Sequence, residues 1–434
     1  LLCAFEQIIQ NRRINPLHDL NDTGWRKTFF TIWSGQAFSL ITTAIVQYAI
    51  IWHITATTGS AMILSLAAIA AFLPQGILGP IAGVYVDRWN RKTIMIIADS
   101  SIALISLILA IVGLMGSIPI WLIMVVLFLR SIGSAFHYPA LTAITPMIVP
   151  KDQLVKCGGY TQTMQSVSFI ISPALAAFFY AKWILPAIIL LDILGAAVAV
   201  FALALSKIPP LPTKTNTEKP HMVKEAVDGF KVLKANDGLL GLTLISALFF
   251  LGLMPAATLF PLITMSYFGG TTFHASIAEI TYSVGMLLGS LILGIWGGTK
   301  NKMITITAST FIVGLTFTLS GLLPPTGFAV FAVYSGIMGL VSPYFTAVFT
   351  ALLQQKIAPE FLGRVLSLST SIIVLASPIG LALAGVFAEK LGVPAWFVIS
   401  GIVVIFASLL CIIIPSVRNC DKPTDKLQTN TQTV

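Results

Sequence analysis

The sequence predicts an all-α membrane protein, twelve transmembrane helices in two pseudo-symmetric six-helix bundles, and three observations carry that prediction. Of the 434 residues, 56% are hydrophobic and only 9% charged, where soluble globular domains carry about a quarter. The apolar residues fall in stretches of about twenty, the length that crosses a hydrocarbon core of about 30 Å as a helix. The stretches come as six, then a polar interval, then six more. A helix closes its backbone hydrogen bonds within itself, which a lipid environment demands.

Between polar or Gly/Pro punctuation the first six spans read as 29–53, 62–86, 94–115, 118–140, 157–181 and 184–206. The second six read as 239–266, 276–298, 303–322, 327–352, 364–388 and 394–415. The domains follow: a cytoplasmic N-terminal segment 1–28, an N-terminal half 29–206, a linker 207–238, a C-terminal half 239–415 and a tail 416–434. The linker opens on Pro209, Pro210 and Pro212 and then holds an amphipathic piece, His221 to Lys234, with Val223, Val227, Phe230 and Val232 among charges. It is expected to form one surface helix. Residues 1–24 have no initiator Met, no basic-then-apolar pattern and no small-residue cleavage site, so they are not read as a signal peptide. They are either a native segment or an extension upstream of the true start.

Charge placement sets the orientation. Arg12, Arg13, Arg26, Lys27, Arg88, Arg91, Lys92, Lys151, Lys156, Lys207, Lys214, Lys300, Lys302, Lys356, Arg364 and Arg418 all fall on one side of the twelve-span topology, with the rest of the linker and tail lysines. Only Lys182 and Lys390 fall on the other. Basic short loops stay cytoplasmic, so both termini are expected there, in a bacterial inner membrane. A missed helix would scramble the asymmetry, which supports the count of twelve. The net charge of +9 is thus topological. It forms no contiguous patch of the kind that tracks phosphates, and no nucleic-acid partner is expected. Cys3, Cys157, Cys411 and Cys420 form no CxxC pair, and with His53, His137 and His274 they make no metal-ligand spacing, so neither a disulfide nor a metal site is expected.

The halves share internal similarity. A shift of 211 positions lays Gly83 on Gly294, Asn90 on Asn301 and Arg91 on Lys302, each at a turn between the second and third helix of its half. Ser172-Pro173 in the fifth span has a counterpart in Ser377-Pro378 of the eleventh. Transporter folds are commonly built from such repeats.

Ionisable residues inside spans are rare: Asp99, Arg130, Asp192 and, nearer an edge, Glu279. A charge at a helix centre costs about 2.5–3.5 kcal/mol on insertion scales, so each needs a partner, water or neutralisation. At 1.5 Å per residue either Asp99 or Asp192 can approach Arg130. An acid that alternates between an apolar site and an arginine partner can bind and release a proton, which makes Asp99, Arg130 and Asp192 the candidate proton-coupling set. A static Arg–Asp pair that locks helices is the competing reading. Glu279 reads as an interfacial carboxylate.

The loop Gly83-Val84-Tyr85-Val86-Asp87-Arg88-Trp89-Asn90-Arg91-Lys92 resembles the signature of the major facilitator superfamily: Gly, Asp, Arg, then a basic pair. Gly83 permits close helix approach and Asp87 can sit at a helix N-terminus or accept from a basic side chain. The resemblance implies a conformational role for Gly83, Asp87, Arg88, Arg91 and Lys92. It extends through Trp33-Ser34-Gly35-Gln36-Ala37, Phe72-Leu73-Pro74, Arg130 to Ala140 and Gln162-Thr163-Met164-Gln165-Ser166, which together look like the macrolide-efflux branch of the drug:proton antiporters. It covers roughly Trp25 to Pro415. It departs in the fifth span, where Ile171 to Ala177 keeps only Pro173 and small residues in place of a glycine-rich antiporter motif.

That resemblance implies the major facilitator fold and efflux of an amphiphilic drug by a monomer. No cofactor is expected, the proton gradient being the energy source, and the partners are the substrate, protons and the bilayer. It also implies a cavity lined by the first, fourth, seventh and tenth spans, whose polar and aromatic residues are Trp33, Gln36, Gln47, His137, Tyr138, Tyr334 and Tyr344. Such faces give an amine-bearing amphiphile apolar and cation–π contact. Rival readings are a metabolite or siderophore exporter of the same fold, and a channel or receptor. No GxSxG, HExxH, CxxC or GxxxxGK[ST] motif is present, so no enzyme or ATP-driven pump is expected.

Overall fold

The computed structural model describes residues 24–150, 153–208, 222–236, 238–296, 298–357 and 359–421. Among them, twelve helices are long and apolar enough to cross a membrane. In the first half these are α1 (Gly24–Thr58), α2 (Ala61–Arg88), α3 (Arg91–Met115), α4 (Ile120–Ile148), α5 (Leu154–Lys182) and α6 (Leu185–Leu205). The linker helix is α7 (Met222–Ala235). The second half holds α8 (Leu239–Thr258), α9 (Thr272–Trp296), α10 (Lys302–Gly321), α11 (Phe328–Lys356), α12 (Pro359–Leu391) and α13 (Val393–Ile413), followed by a short α14 (Pro415–Arg418).

Several helices run past the apolar spans read from the sequence, because a helix continues into the polar rim once its hydrogen bonds are satisfied. α1 gains about a turn at each end. α4 passes through both Pro139 and Pro146 and so runs two turns beyond the expected end at 140. Prolines persist in membrane helices where neighbouring segments and hydroxyl side chains resatisfy the freed backbone. The seventh span departs in the other direction: α8 breaks at Leu259, resumes over Phe260–Leu262 and ends in a π-helical turn, Ile263–Tyr267.

The pairings in one half recur in the other. α1 packs on α5 and α6, α2 on α4, and α3 on α4 and α6; correspondingly α8 packs on α12 and α13, α9 on α11, and α10 on α11 and α13. The halves meet along α2–α12 and α5–α9, the second helix of each against the fifth of the other. The repeated residues play repeated parts. Asn90 caps α3 by accepting from Thr93 N at 3.3 Å, and Asn301 caps α10 by accepting from Met303 N at 3.0 Å.

One end of the bundle is basic, with Arg91, Lys92, Lys302 and Lys356 at its helix ends and Lys231 and Lys234 on the linker helix; the described lysines of the opposite end are Lys182 and Lys390. At that opposite end the halves touch. Ser60 Oγ donates to Glu389 Oε1 at 3.2 Å, and a Cβ on Gly385 would stand 3.2 Å from Met62 Sδ.

Candidate transport cavity

Space opens towards the basic end, within the first half. A cavity of about 690 Å³ is walled by α1, α2, α3, α4 and α5, in the size range of drug-binding sites. Helical spacing builds its walls. α1 contributes Trp33, Gln36, Leu40 and Thr43, three or four residues apart and so on one face. α4 contributes Ser134, His137, Tyr138, Leu141 and Thr142, again one stripe, and α5 contributes Thr161 and Gln165. The lining is mostly apolar, and Asp99 is its one carboxylate among the described residues.

Asp99 is buried on α3. Gln36 Nε2 donates to its Oδ2 at 3.3 Å. His137 Nε2 stands 3.1 Å from its Oδ1, the pairing distance for a protonated ring, though the contact is not aligned as a hydrogen bond. The three come from α3, α1 and α4. Their hold on the carboxylate is loose: one long neutral hydrogen bond and one contact that charges only if the ring does.

Asp192 is held otherwise. It is buried on α6, and its Oδ2 receives the Arg130 guanidinium of α4. Ser106 Oγ of α3 donates to Oδ2 at 2.8 Å and Thr43 Oγ1 of α1 donates to Oδ1 at 2.7 Å. Arg130 also reaches Ser106 Oγ. This cluster joins four helices and gives the carboxylate three donors, one of them a cation. It lies next to the cavity through Thr43 but is not open to it in the way Asp99 is. Of the two acids that sequence position left free to approach Arg130, the structure pairs Asp192.

Of the expected cavity residues, Trp33, Gln36, His137 and Tyr138 line this space, and Gln47, Tyr334 and Tyr344 do not. Gln47 lies a turn beyond Thr43, towards the end where the halves close. Tyr334 and Tyr344 are on α11, where Tyr334 packs against the main hydrophobic core and Phe345 stacks on Phe249 with ring centroids 4.5 Å apart. Gln75, Thr142 and Thr161 line the cavity without any expectation from the sequence, and Ser134 and Gln165, which lie in the stretches that carry the resemblance, line it as well. The polar stripe 134/138/142 at helical spacing is the signal that finds the α4 face.

In the loop motif, the side chains of Gly83, Asp87 and Arg88 lie outside the described residues. Arg91 and Lys92 do not reach the cavity. Arg91 Nη1 donates to Ala143 O of α4 at 3.0 Å, and Lys92 Nζ donates to Ala204 O and Ser206 O at 3.1 and 2.9 Å. Both cations thus satisfy backbone carbonyls, Lys92 at the C-terminal end of α6 where the helix dipole favours it.

A family model described as Major Facilitator Superfamily matches residues 32–277 and 242–432. "Macrolide efflux protein A" of Streptococcus pyogenes is 49% identical over 397 residues, covering 92% of this chain and 98% of that protein. A protein of the same name from Enterococcus faecalis is 50% identical over 323 residues, 74% of this chain and all of that one. Among solved structures, a POT family transporter in complex with a thioalcohol-conjugated peptide superposes with TM-score 0.67 at 14% identity, covering 90% of this chain and 96% of that one, a likeness of fold.

Proposed function

Because the chain belongs to the major facilitator superfamily, we propose that it exports amphiphilic drugs of the macrolide class, by proton-coupled alternating access between its two six-helix halves. It is a multi-pass membrane protein, and in this reading the basic end and both termini face the cytoplasm. The observation that carries the proposal is the cavity itself: about 690 Å³, mostly apolar, open towards the basic end and holding one loosely bound carboxylate, Asp99. An amine-bearing amphiphile matches it, with its ring system against Trp33, Tyr138 and Leu141 and its ammonium at Asp99. The names of the relatives that align over nearly their whole length supply the drug class.

In this state the halves touch at the outer end and the cavity faces inwards, the arrangement that loads drug from the cytoplasm. A proton and an ammonium compete for Asp99. Each form neutralises a carboxylate that would otherwise face an apolar space, so the site is stable when carrying one cation of either kind. Arg130 and Asp192 neutralise each other and keep α1, α3, α4 and α6 as one body while the halves rock. Arg91 and Lys92 brace the same body at its basic end.

The test is accumulation of radiolabelled erythromycin in cells producing the protein, with and without a protonophore. Low accumulation that rises when the proton gradient collapses is the expected result. Unchanged accumulation with the protein present in the membrane would remove macrolides as the substrate.

A further inference from the structure

Three glutamines line the cavity, and among the described residues only one of them has a side-chain partner. Gln36 is buried with its amide on Asp99. Gln75 of α2 and Gln165 of α5 are half-buried, and neither amide meets a donor or acceptor among the described residues. The backbone of Gln75 is engaged, its N donating to Ser131 Oγ of α4 at 3.2 Å. That bond ties α2 to α4 and leaves the amide to the cavity.

Both residues lie inside membrane-crossing stretches, Ala61–Gly79 and Thr163–Lys182. At 1.5 Å per residue they stand about 20 Å and about 17 Å along their helices from the basic end, against about 12 Å for Asp99 on α3. They come from separate walls, α2 being packed on α4 and α5 on α1. The deeper part of the cavity thus carries two uncharged amides and the shallower part the carboxylate.

An amide without a partner at membrane depth is costly, and polar side chains kept there mark the path of a ligand. The chemistry of the amide says which ligand. It presents two N–H donors and a carbonyl with two lone pairs, and a hydroxyl, donor and acceptor at once, complements both. A bare hydrocarbon would leave both amides unpaired. A second cation would find no counter-charge, since Asp99 is the one carboxylate of the described lining, and an anion would meet no lysine or arginine there.

We propose that Gln75 and Gln165 are specificity-determining residues that recognise a hydroxyl-bearing edge of the exported amphiphile, a sugar or polyol, while its ammonium sits at Asp99. Asp99 alone accepts any amine that fits. The two amides select among amines, because a site built to bond a hydroxyl rejects the analogue that lacks it. The assignment rests on the reading of this cavity as the drug site.

The experiment uses the full-length protein in nanodiscs and two tritium-labelled probes, N-octyl-N-methylglucamine and N,N-dimethyloctylamine, with empty nanodiscs as background. The probes share the amine and the chain and differ in the polyol. Wild type is expected to bind the glucamine about tenfold more tightly, and Gln75→Leu or Gln165→Leu each to reduce that preference about threefold or more. The double variant should have no preference, with binding of the dimethylamine unchanged, which also shows that the cavity is intact. A preference retained in the double variant overturns the assignment, as does an equal loss for both probes, which marks a packing role. A wild type without preference, whether it binds both amines alike or neither, overturns it too. Erythromycin export beside any of these results overturns the amide assignment alone. A polyol preference that depends on Gln75 and Gln165, in a protein that does not export erythromycin, overturns the drug class alone.

Discussion

Asp192 and Asp99 are both buried aspartates in the first half, and the neighbours of each decide what it can do. Asp192 accepts from an arginine and two hydroxyls, so its charge is fully matched and removing it strands the Arg130 guanidinium. Breaking one side of a buried pair typically costs about 3–5 kcal/mol. Asp192→Asn should therefore lower the apparent melting temperature in detergent, read at a fixed scan rate, and reduce the amount of folded protein. Asp99→Asn should leave the melting temperature close to wild type, because Gln36 can still bond an amide. It should instead weaken export of an amine-bearing macrolide. A hydrogen bond to a charged group is worth about 1.5–3 kcal/mol, roughly a ten- to hundredfold loss in apparent affinity, measured from the concentration dependence of uptake into inverted vesicles. Both acids stood out in the sequence as rare charges in apolar spans. Which one meets Arg130 was not legible there, since it depends on how α3 and α6 are rotated against α4.

At the scale of the helix, α9 and α11 approach through glycine. A Cβ on Gly289 would stand 1.9 Å from Leu340 O, and one on Gly339 would stand 1.9 Å from Tyr282 O. Backbone meets backbone at both points, so nothing flexible can yield, and small residues at such contacts let membrane helices pack closely. Gly289→Ala is expected to separate the pair and to cost about 1–3 kcal/mol, as overpacking does, seen as a lower melting temperature. The same substitution at Gly294, where nothing lies within 4 Å, should be nearly silent. Length and hydropathy made the existence of each helix legible. They did not reveal helix ends, because polar residues such as Lys27 and Thr57 continue α1 beyond its apolar stretch. Nor did they reveal the broken seventh span, where Pro255 and Pro261 lie in a uniformly apolar run.

Across the whole molecule, the sequence already held the duplication: the Asn90 and Asn301 match is a matched pair of helix caps, and the main helix packings within one half have their counterparts in the other. The asymmetry between the halves was harder to see. The cavity belongs to the first, with Gln75 and Gln165 contributing single polar groups from α2 and α5, while the second turns stacked aromatics inwards around Phe345. That asymmetry has an electrical consequence. With Asp192 paired to Arg130, Asp99 is the cavity's one carboxylate among the described residues, so in the proposed exchange a drug cation leaving and a proton entering through it cancel. The proposed cycle is then expected to be blind to membrane voltage and driven by the pH difference alone. In proteoliposomes, a potential imposed with potassium and valinomycin should leave erythromycin transport unchanged, whereas nigericin, which dissipates the pH difference, should abolish it. A macrolide without its amine would travel uncharged, and for that substrate the same pump would become sensitive to voltage.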